Sequence, residues 1–339
     1  MPTERVYSEI RLVNRSIGDP VLYIDYPDRN NALLFDAGDN SALDVARLAD
    51  LEAVFITHHH VDHFIGLDRI VRANIDSDKT LSIFGPAGTI QKVYDRIKSY
   101  EYQYFPFMKI VVRVHEILPD RIRWALLECR RRFPEPQVHE VAWDGGSVFS
   151  NDEVDVEAVH VDHTVPCIAY ALLEKPGYQL NMQKLHDGLL RPGEWISQVL
   201  SRLKAGAPSN EVLEIQGGQF RLGPLAQQYF RKSRGARVAY VTDTAWSDQA
   251  RPGLLRIAGR AQRLYCDSFY AEAQANQAEK HHHMTATRAA QFAKQAEAEE
   301  LILIHFAVRY AGRYHQLVDE AAAIFPNVCA DLPSLENQP

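Results

Sequence analysis

Thr57-His58-His59-His60-Val61-Asp62-His63 is the stretch that decides the fold, because it places four histidines and one aspartate within seven residues. The apolar run at residues 53–56 predicts a buried strand in front of it, and Gly66 favours a turn into a helix behind it. Protonated imidazoles packed so closely would repel one another, and neutral ones need partners for both ring nitrogens. The density and the setting therefore predict a metal site, against the alternative of a chance cluster of surface histidines.

The spacing within this stretch divides the candidate ligands between two ions. His58 and His60 are two residues apart, so in an extended segment their side chains point the same way and can bind one ion. Asp62 and His63 are adjacent and follow the start of the turn, so they suit a second ion about 3.5–4 Å from the first. Mixed imidazole and carboxylate ligation fits Zn²⁺, with Mn²⁺ or Fe as alternatives.

The same run resembles the signature of the metallo-β-lactamase superfamily. That resemblance implies an α+β fold, a four-layer αββα sandwich, and further ligands downstream that each stand at the end of a strand. Three later strand-like segments lead to such residues, at His163, Asp243 and His305. His160 is the alternative to His163, which we prefer because residues 163–170 resemble the family's third histidine and the Gly-Tyr strand that follows it.

The resemblance also implies how these ligands are shared. Asp243 matches a carboxylate that lies between both ions and bridges them. The first ion is expected to bind His58, His60, His163 and Asp243. The second ion is expected to bind Asp62, His63, Asp243 and His305. Two Zn²⁺ ions are the expected cofactors.

Two C-terminal motifs resemble the ribonuclease Z branch of the superfamily, the tRNA 3′ endonucleases. Residues 283–285 (His-Met-Thr) open a predicted helix where the branch has His-Ser-Thr. Residues 305–310 (His-Phe-Ala-Val-Arg-Tyr) follow where the branch has His-Phe-Ser-x-Arg-Tyr. The resemblance covers most of residues 31–315. In that branch the histidine matching His283 helps to protonate the leaving oxygen, so His283 and the ligand Asp62 are the expected catalytic residues.

Composition is that of a globular protein of 339 residues, with 46% hydrophobic and 24% charged residues. The chain can bury a large core, and the resemblance implies a single metallo-β-lactamase-fold domain over residues 1–339. The sequence shows no basic and apolar signal segment, and no apolar run approaches the roughly 18 residues of a membrane span. Four scattered cysteines predict free thiols in a reducing compartment. We therefore expect a cytoplasmic enzyme without a membrane partner.

Charge is unevenly distributed along the chain. The net charge is −7, yet residues 171–237 carry ten Lys and Arg against five Asp and Glu, so this segment is +5 and the remainder is −12. In ribonuclease Z an arm leaves the core at this point to hold the body of the tRNA. Residues 171–237 are therefore expected to form an inserted basic arm with a short helix at 194–203, against the alternative of a solvated surface loop.

Other segments lead to expectations outside the ligand set. Asp36, at the end of a strand, is expected to orient a ligand histidine or stabilise a turn rather than bind a metal. Residues 120–133 are expected to form a surface helix that ends in basic residues. The stretch from 100 to 150 is longer than the family requires, and its sequence assigns it no function. His281 and His282 are expected to be exposed.

These observations predict a metal-dependent phosphodiester hydrolase of the ribonuclease Z kind, which cleaves the 3′ trailer of precursor tRNA with hydroxide held by two zinc ions. Departures from the branch's pattern, at Thr242, Asp267 and Ala307, leave a change of substrate open. The alternatives are a hydrolase of another small phosphodiester or sulfate ester, a β-lactam hydrolase, and a non-catalytic RNA-binding relative. Precursor tRNA or another phosphodiester is the expected partner, and the resemblance to dimeric relatives leaves a homodimer open.

Overall fold

The structure, a computed structural model, describes residues 9–25, 31–102, 108–233 and 235–333. The first part of the chain forms a mixed eight-stranded sheet whose strand order follows the chain order. Its strands are β1 (Glu9–Leu12), β2 (Leu22–Asp25), β3 (Ala32–Phe35), β4 (Leu51–Phe55), β5 (Thr80–Gly85), β6 (Val111–Ile117), β7 (Arg121–Glu128) and β8 (His139–Ala142). The helices between them are α1 (Val45–Ala49), α2 (Val61–Phe64), α3 (Leu67–Asn74) and α4 (Thr89–Lys98).

The next segment begins a second sheet and then leaves it. Three antiparallel strands come first, β9 (Ser147–Ser150), β10 (Val154–Val161) and β11 (Cys167–Glu174). Two small two-stranded sheets and three helices follow: β12 (Gly177–Leu180), α5 (Met182–His186), α6 (Trp195–Lys204), β13 (Val212–Ile215), β14 (Gly218–Arg221), α7 (Leu222–Tyr229) and β15 (Phe230–Ser233). β12 pairs with β15, and β13 pairs with β14. We call residues 175–236, which connect β11 to the next strand of the sheet, the arm.

The last part of the chain completes the second sheet. Its elements are β16 (Arg237–Val241), α8 (Arg251–Ala258), β17 (Arg263–Asp267), α9 (Ala275–His281), α10 (Ala286–Gln295), β18 (Leu301–Ile304), α11 (His315–Ala322) and β19 (Val328–Cys329). The strand order is β19-β18-β17-β16-β11-β10-β9. Short 3₁₀ turns lie at Cys129–Arg131, Glu272–Gln274 and Val308–Tyr310.

The side chains of β3 show how the layers are built. Leu33 and Phe35 join the core between the two sheets, whereas Ala32 and Leu34 pack beneath the helices of the first half. A strand that is buried on both faces reads as an unbroken apolar run, as the sequence Ala-Leu-Leu-Phe does. In β16 the alternate residues divide in the same way, with one set in the inter-sheet core and the other beneath the C-terminal helices. The predicted four-layer αββα sandwich is confirmed.

The parallel strands of both sheets end at one edge of the sandwich. β3 to β6 are parallel in the first sheet, and β16 to β18 are parallel in the second. The two sheets are joined at this edge, where the Ile168 amide donates to the Thr57 carbonyl at 2.9 Å and the Tyr170 hydroxyl donates to the Ile56 carbonyl at 2.9 Å. Residues that follow the parallel strands therefore converge there.

The arm has its own small core, and its boundaries are narrower than predicted. Residues 171–174 complete β11 and Arg237 opens β16, because their side chains continue the alternation of the second sheet. The short helix expected at 194–203 is α6. Arg234, one of the ten cations counted in this segment, lies outside the described residues. The buried residues of the arm core are Leu185, Leu190, Trp195, Val199, Leu213, Ile215, Leu222, Leu225, Tyr229 and Phe230.

The prediction of a surface helix at residues 120–133 is wrong. Residues 121–128 form β7, a strand that pairs antiparallel with β6 from Ile122 to Glu128. The sequence Arg-Ile-Arg-Trp-Ala-Leu-Leu-Glu alternates with a period of two, and the pairing with β6 satisfies its backbone groups. Only the basic end that suggested a helix terminus is helical, as a single 3₁₀ turn. Among the described residues no helix combines the length and apolar character needed to cross a membrane.

A candidate dinuclear metal centre

One group of candidate ligands comes from the ends of β4, β10 and β16. Its members are His58, His60, His163 and Asp243, whose ligand atoms all lie within 4.8 Å of one another. The ring of His58 lies 4.4 Å from that of His60 and 4.9 Å from that of His163, measured between centroids. The Oδ2 atom of Asp243 lies 3.6 Å from the Nε2 atom of His58 and 3.7 Å from the Nε2 atom of His163. The structure thus brings together the four residues that the resemblance assigned to the first ion.

A second group lies beside the first and uses α2 and the end of β18. Its members are Asp62, His63 and His305. The Oδ2 atom of Asp62 lies 3.4 Å from the Nε2 atom of His63 and 3.3 Å from the Nε2 atom of His305. The other carboxylate oxygen of Asp243, Oδ1, lies 3.5 Å from the Nε2 atom of His63 and 3.0 Å from the Nδ1 atom of His305. Asp243 therefore faces both groups, with one oxygen toward each.

The backbone at two of these strand ends is in the left-handed region. Asp243 has φ +47° and His305 has φ +62°. For an L-residue this conformation costs roughly 1–2 kcal/mol, so it persists only where the surrounding structure enforces it. The turn after each parallel strand directs the side chain back across the edge of the sheet. These two residues are brought to the site by that geometry.

Three buried ring nitrogens test whether a cation fits this site. Among the described residues, the Nε2 atoms of His58 and His63 and the Nδ1 atom of His305 have no hydrogen-bond partner. The last of these lies close to Asp243, but its orientation does not make a hydrogen bond. A buried polar atom without a partner costs about 1–3 kcal/mol. Imidazole nitrogens and carboxylate oxygens that face one another in this way suit a cation bound between them.

The pKa directions show how charge is balanced within the site. Burial, together with the neighbouring His63, lowers the pKa of His58 to about 2, so this ring is neutral, as a metal ligand must be. Burial also opposes the charged form of His305, but Asp243 outweighs it and raises that pKa well above its usual value. The pKa of Asp243 lies well below its usual value: burial would raise it, and His305 and His63 reverse the effect. The buried carboxylate thus requires positive charge next to it, which a metal ion would supply.

Asp36 holds the ligand-bearing loop in place. Its Oδ2 atom accepts a hydrogen bond from the Nδ1 atom of His63 at 2.8 Å and another from the Tyr240 hydroxyl at 3.1 Å. Its Oδ1 atom accepts from the Thr57 amide at 2.7 Å. Asp36 is fully buried and has φ +60°. With Nδ1 hydrogen bonded to Asp36, the Nε2 atom of His63 is the one presented to the site.

His283 lies at the rim of the site, next to an acid that the sequence analysis did not assign to it. The Nδ1 atom of His283 lies 3.0 Å from the Oδ2 atom of Asp267, and the ring stacks on Phe269 with centroids 4.4 Å apart. Asp267 is fully buried and also accepts from the Met284 amide at 3.0 Å. The signal was present in the sequence, because β17 ends in this acid just as its neighbours β16 and β18 lead into Asp243 and His305.

His282 was expected to be exposed, and the structure corrects this in part. Its side chain is 37% exposed, and its Nδ1 atom lies 2.9 Å from the Oδ1 atom of Asp162. Its backbone carbonyl accepts from the Nδ1 atom of His163 at 3.2 Å, and its φ is +56°. His282 therefore links the loop of the candidate ligand His163 to the loop of His283. His281 is exposed, as expected.

His160 and His59 lie outside the two ligand groups. Within the described part of the chain, His160 joins neither group; it stays in β10 with its ring 6.5 Å from that of Trp143. The Nε2 atom of His59 is 2.9 Å from the Thr89 hydroxyl. His59 thus connects the histidine-rich loop to the start of α4.

Comparison with known proteins places this chain in a family. Residues 27–177 match the model of the beta-lactamase superfamily domain. Ribonuclease Z of Deinococcus radiodurans is 30% identical over 306 residues, which covers 87% of this chain and 88% of the relative. Ribonuclease Z of Synechococcus sp. (strain CC9902) is 29% identical, covering 92% of this chain and 90% of the relative.

The chain belongs to the ribonuclease Z family. The predicted branch of the superfamily is therefore confirmed. Among solved structures, the short form of human tRNase Z has a similar fold, with a TM-score of 0.55, 16% identity, and coverage of 88% of this chain and 93% of that one. Together with the two His and Asp groups, family membership identifies the chain as a metal-dependent hydrolase of the metallo-β-lactamase fold.

Proposed function

We propose that this chain is a zinc-dependent endoribonuclease that removes the 3′ trailer of precursor tRNA. The observation that carries the proposal is the position of Asp243, which faces two histidine groups at once, in a chain of the ribonuclease Z family. Two adjacent cation positions suit the in-line displacement of an oxygen from phosphorus. A scaffold that merely bound RNA would have no use for three buried imidazole nitrogens without partners among the described residues.

The ligand sets we propose follow the two groups. One Zn²⁺ would be held by His58, His60, His163 and Asp243. The other would be held by Asp62, His63, Asp243 and His305. When bound, the two ions supply a water of lowered pKa and positive charge opposite the phosphate. The imidazole and carboxylate donors suit zinc, and no thiol is among them.

The remaining steps belong to side chains of the chain itself. His283, at the rim of the site, would give a proton to the departing 3′ oxygen of the tRNA. Asp267 raises the pKa of His283 against the opposing effect of burial, so more of the ring is protonated near neutral pH. Asp62 lies between His63 and His305, where it can orient the attacking water. Phe269 stacks on His283 and limits the rotation of its ring.

The arm is proposed to hold the body of the tRNA. Several of its cations are committed to neighbouring acids, as Arg202 is to Glu211 at 2.8 Å. Lys184, Arg191 and Arg221 are exposed on the arm surface. Exposed cations on an acidic body attract a phosphate backbone to that place.

The direct test is cleavage of an end-labelled precursor tRNA by the purified protein, with and without a chelator. We expect a single cut at the 3′ side of the tRNA, loss of cutting with chelator, and recovery on addition of Zn²⁺. His283→Ala should cut far more slowly while retaining its metal. His315→Ala is the matched control, because His315 is exposed on α11 in the outer helical layer.

The outcomes separate the alternatives. Cutting of a bis-aryl phosphate or a β-lactam, with no cutting of precursor tRNA under any metal condition, would leave the hydrolase and remove the RNA substrate. Fewer than one metal ion per chain after gentle purification, with no activity on any of these substrates, would instead leave a non-catalytic relative.

A further inference from the structure

Six neighbouring strands of the first sheet each contribute one aromatic ring to a single row. The rings occupy directly paired positions from β3 to β8: Phe35, Phe55, Phe84, His115, Trp124 and His139. Centroid distances between stacked neighbours are 4.9 Å from β3 to β4, 5.1 Å from β4 to β5, 4.3 Å from β5 to β6 and 4.5 Å from β7 to β8. Cross-strand aromatic pairs stabilise a sheet, but a row of this length also leads out of the core.

The row passes from a covered to an open part of the sheet. Phe149 of β9 packs edge-on against Phe55 and Phe84, with centroids 5.7 and 5.9 Å away. β9 is the last strand of the second sheet, so its cover stops there. The three outer rings lie beyond it: His115 and Trp124 are half-buried, and His139 is exposed. We call these three residues the aromatic ledge.

The ledge lies in the stretch for which the sequence suggested no function. Trp124 belongs to none of the buried clusters of the described chain, although tryptophan is the largest apolar side chain available. The guanidinium of Arg113 lies over its ring, 5.4 Å from the centroid. Among the described residues Arg113 has no acidic partner. Trp124 therefore stands half-exposed, with an imidazole at the paired position on each neighbouring strand and an exposed cation beside it.

The ledge is aligned with the candidate metal centre. Phe55, in the same row, stands three residues before His58 at the carboxyl end of β4. Neighbouring strands are about 4.8 Å apart, which puts Trp124 of β7 about 14 Å and His139 of β8 about 19 Å along the row from Phe55. A chain that crosses the metal centre could therefore reach the ledge within a few nucleotides.

We propose that the aromatic ledge stacks unpaired bases of the RNA that flank the scissile phosphate. The inference rests on the proposed function and specifies its substrate as a precursor with a single-stranded 3′ extension. Every base has a π face, so aromatic rings bind single strands with little sequence preference, and an arginine adds attraction for the phosphates and bases. The ledge offers these groups at directly paired positions along one row.

A second copy of the chain fits this surface less well. In a twofold interface the same face meets itself, so the interface would enclose the Arg113 guanidinium of each copy. The acid on the same face, Glu128, is already paired with Arg131 at 2.8 Å. Two guanidinium groups without a counter-charge oppose such an interface. A single strand of RNA brings its own negative charge.

The test compares two precursors that share one tRNA body, one with a single-nucleotide trailer and one with a trailer of about ten unpaired nucleotides. Trp124→Leu and His139→Ala remove stacking, whereas Trp124→Phe keeps it. On the long trailer, each of the first two variants should raise KM at least about five-fold, the lower end for one stacked base, and Trp124→Phe should restore it. On the short trailer all variants should match the parent. His315→Ala is the matched control for His139→Ala.

A second readout does not depend on cleavage. Binding of an oligouridylate should quench tryptophan fluorescence, and the quenching should be largely lost in Trp124→Phe, which keeps the other three tryptophans. If the parent protein cuts neither precursor yet shows this quenching, the proposed endoribonuclease function is wrong, whereas the proposal that the ledge binds unpaired bases is supported.

The ledge proposal is overturned by equal losses on both trailers, by unchanged KM in both variants, or by quenching that survives Trp124→Phe. It is also overturned if the variants change sedimentation of the free protein, which would make this face an interface between copies. If Trp124→Leu does not fold, His139→Ala decides, because its side chain is exposed and its loss leaves the core intact.

Discussion

The Nδ1 atom of His283 lies 3.0 Å from the Oδ2 atom of Asp267, which is fully buried at the end of β17. Burial disfavours the charged ring, but this carboxylate outweighs burial and raises the pKa of His283. A raised pKa means that the protonated ring, the form able to donate, persists to higher pH in the folded protein.

We expect Asp267→Asn to shift the pH dependence of catalysis. Without the negative charge the pKa of His283 falls, so activity should decline at a lower pH as the pH is raised. General acid catalysis contributes typically about 10²–10⁴-fold, so kcat at the parent's optimum should drop by at least about tenfold. The measurement is kcat against pH on precursor tRNA, with Asp267→Glu as the charge-retaining control. Superimposable profiles for the parent and Asp267→Asn would remove Asp267 from this role.

The link between His282 and Asp162 predicts a change in metal affinity. Asp162→Ala and His282→Ala should loosen the carbonyl that accepts from His163, and such outer partners are worth about 10–100-fold in metal affinity. His282→Gly also removes the side chain, but glycine adopts the left-handed conformation readily and keeps the carbonyl. This variant therefore separates loss of the side chain from a change in backbone geometry. Zinc competition with a chromogenic chelator measures the effect. A zinc affinity equal to that of the parent protein in all three variants would show that the link between His282 and Asp162 is not needed.

Asp36 predicts the largest loss of stability. Asp36→Ala leaves the Thr57 amide, the Tyr240 hydroxyl and the Nδ1 atom of His63 without their shared acceptor inside the core. Breaking such a buried network should cost about 3–5 kcal/mol of unfolding free energy. Asp36→Asn should cost less, because asparagine tolerates the left-handed backbone and retains an acceptor oxygen. Urea unfolding of metal-free protein gives both values, and equal losses would contradict this account.

The arm predicts a salt-dependent binding defect. Reversing Lys184, Arg191 and Arg221 together to Glu should raise KM for precursor tRNA by about tenfold or more and leave kcat unchanged. It should also flatten the dependence of KM on salt between 50 and 200 mM, because fewer counterions are released. Lys294→Glu, on the exposed face of α10, is a control for a single charge reversal outside the arm. An equal fall in kcat for the triple variant would place these cations in catalysis or in folding instead.

His115 predicts an acid sensitivity that is independent of metal. Burial, together with the nearby Arg113, lowers its pKa to about 4. A His whose folded pKa is depressed stabilises the fold above its unfolded pKa, near 6.5, and this contribution is lost as the pH falls from there toward about 4. His115→Phe should therefore reduce the fall in the urea midpoint between pH 7 and pH 5. An undiminished fall would assign the acid sensitivity to other groups.

Several candidate ligands could be anticipated because they stand just after the end of a strand. His58, Asp243 and His305 follow short apolar runs. Such runs are typical of strands in a parallel sheet that is buried on both faces, so the strands could be predicted from the sequence. Asp267 stands in the same relation to β17 and was noted only as a difference from the family. Its partner lies on another loop, and sequence does not show which loops meet.

The prediction of a helix at residues 120–133 was wrong for a related reason. A cluster of arginines at the end of a segment suits a helix terminus, but the same segment alternates with a period of two. The presence of β6 as a pairing partner decided between the two, because it satisfied the backbone groups of β7 as a strand. The aromatic row from Phe35 to His139 depended on that pairing as well, and it could not be read from six separate strands.

The sequence alone determined the order of strands and ligands, because apolar periodicity and the chemistry of imidazole and carboxylate are local properties. It also contained the likeness that places the chain in the ribonuclease Z family. Tertiary structure alone decided which oxygen of Asp243 faces which histidine group, that Asp267 reaches His283, and that the row of rings emerges from beneath β9. These relationships join residues far apart in the chain, and only the packing of two sheets at one edge sets their distances.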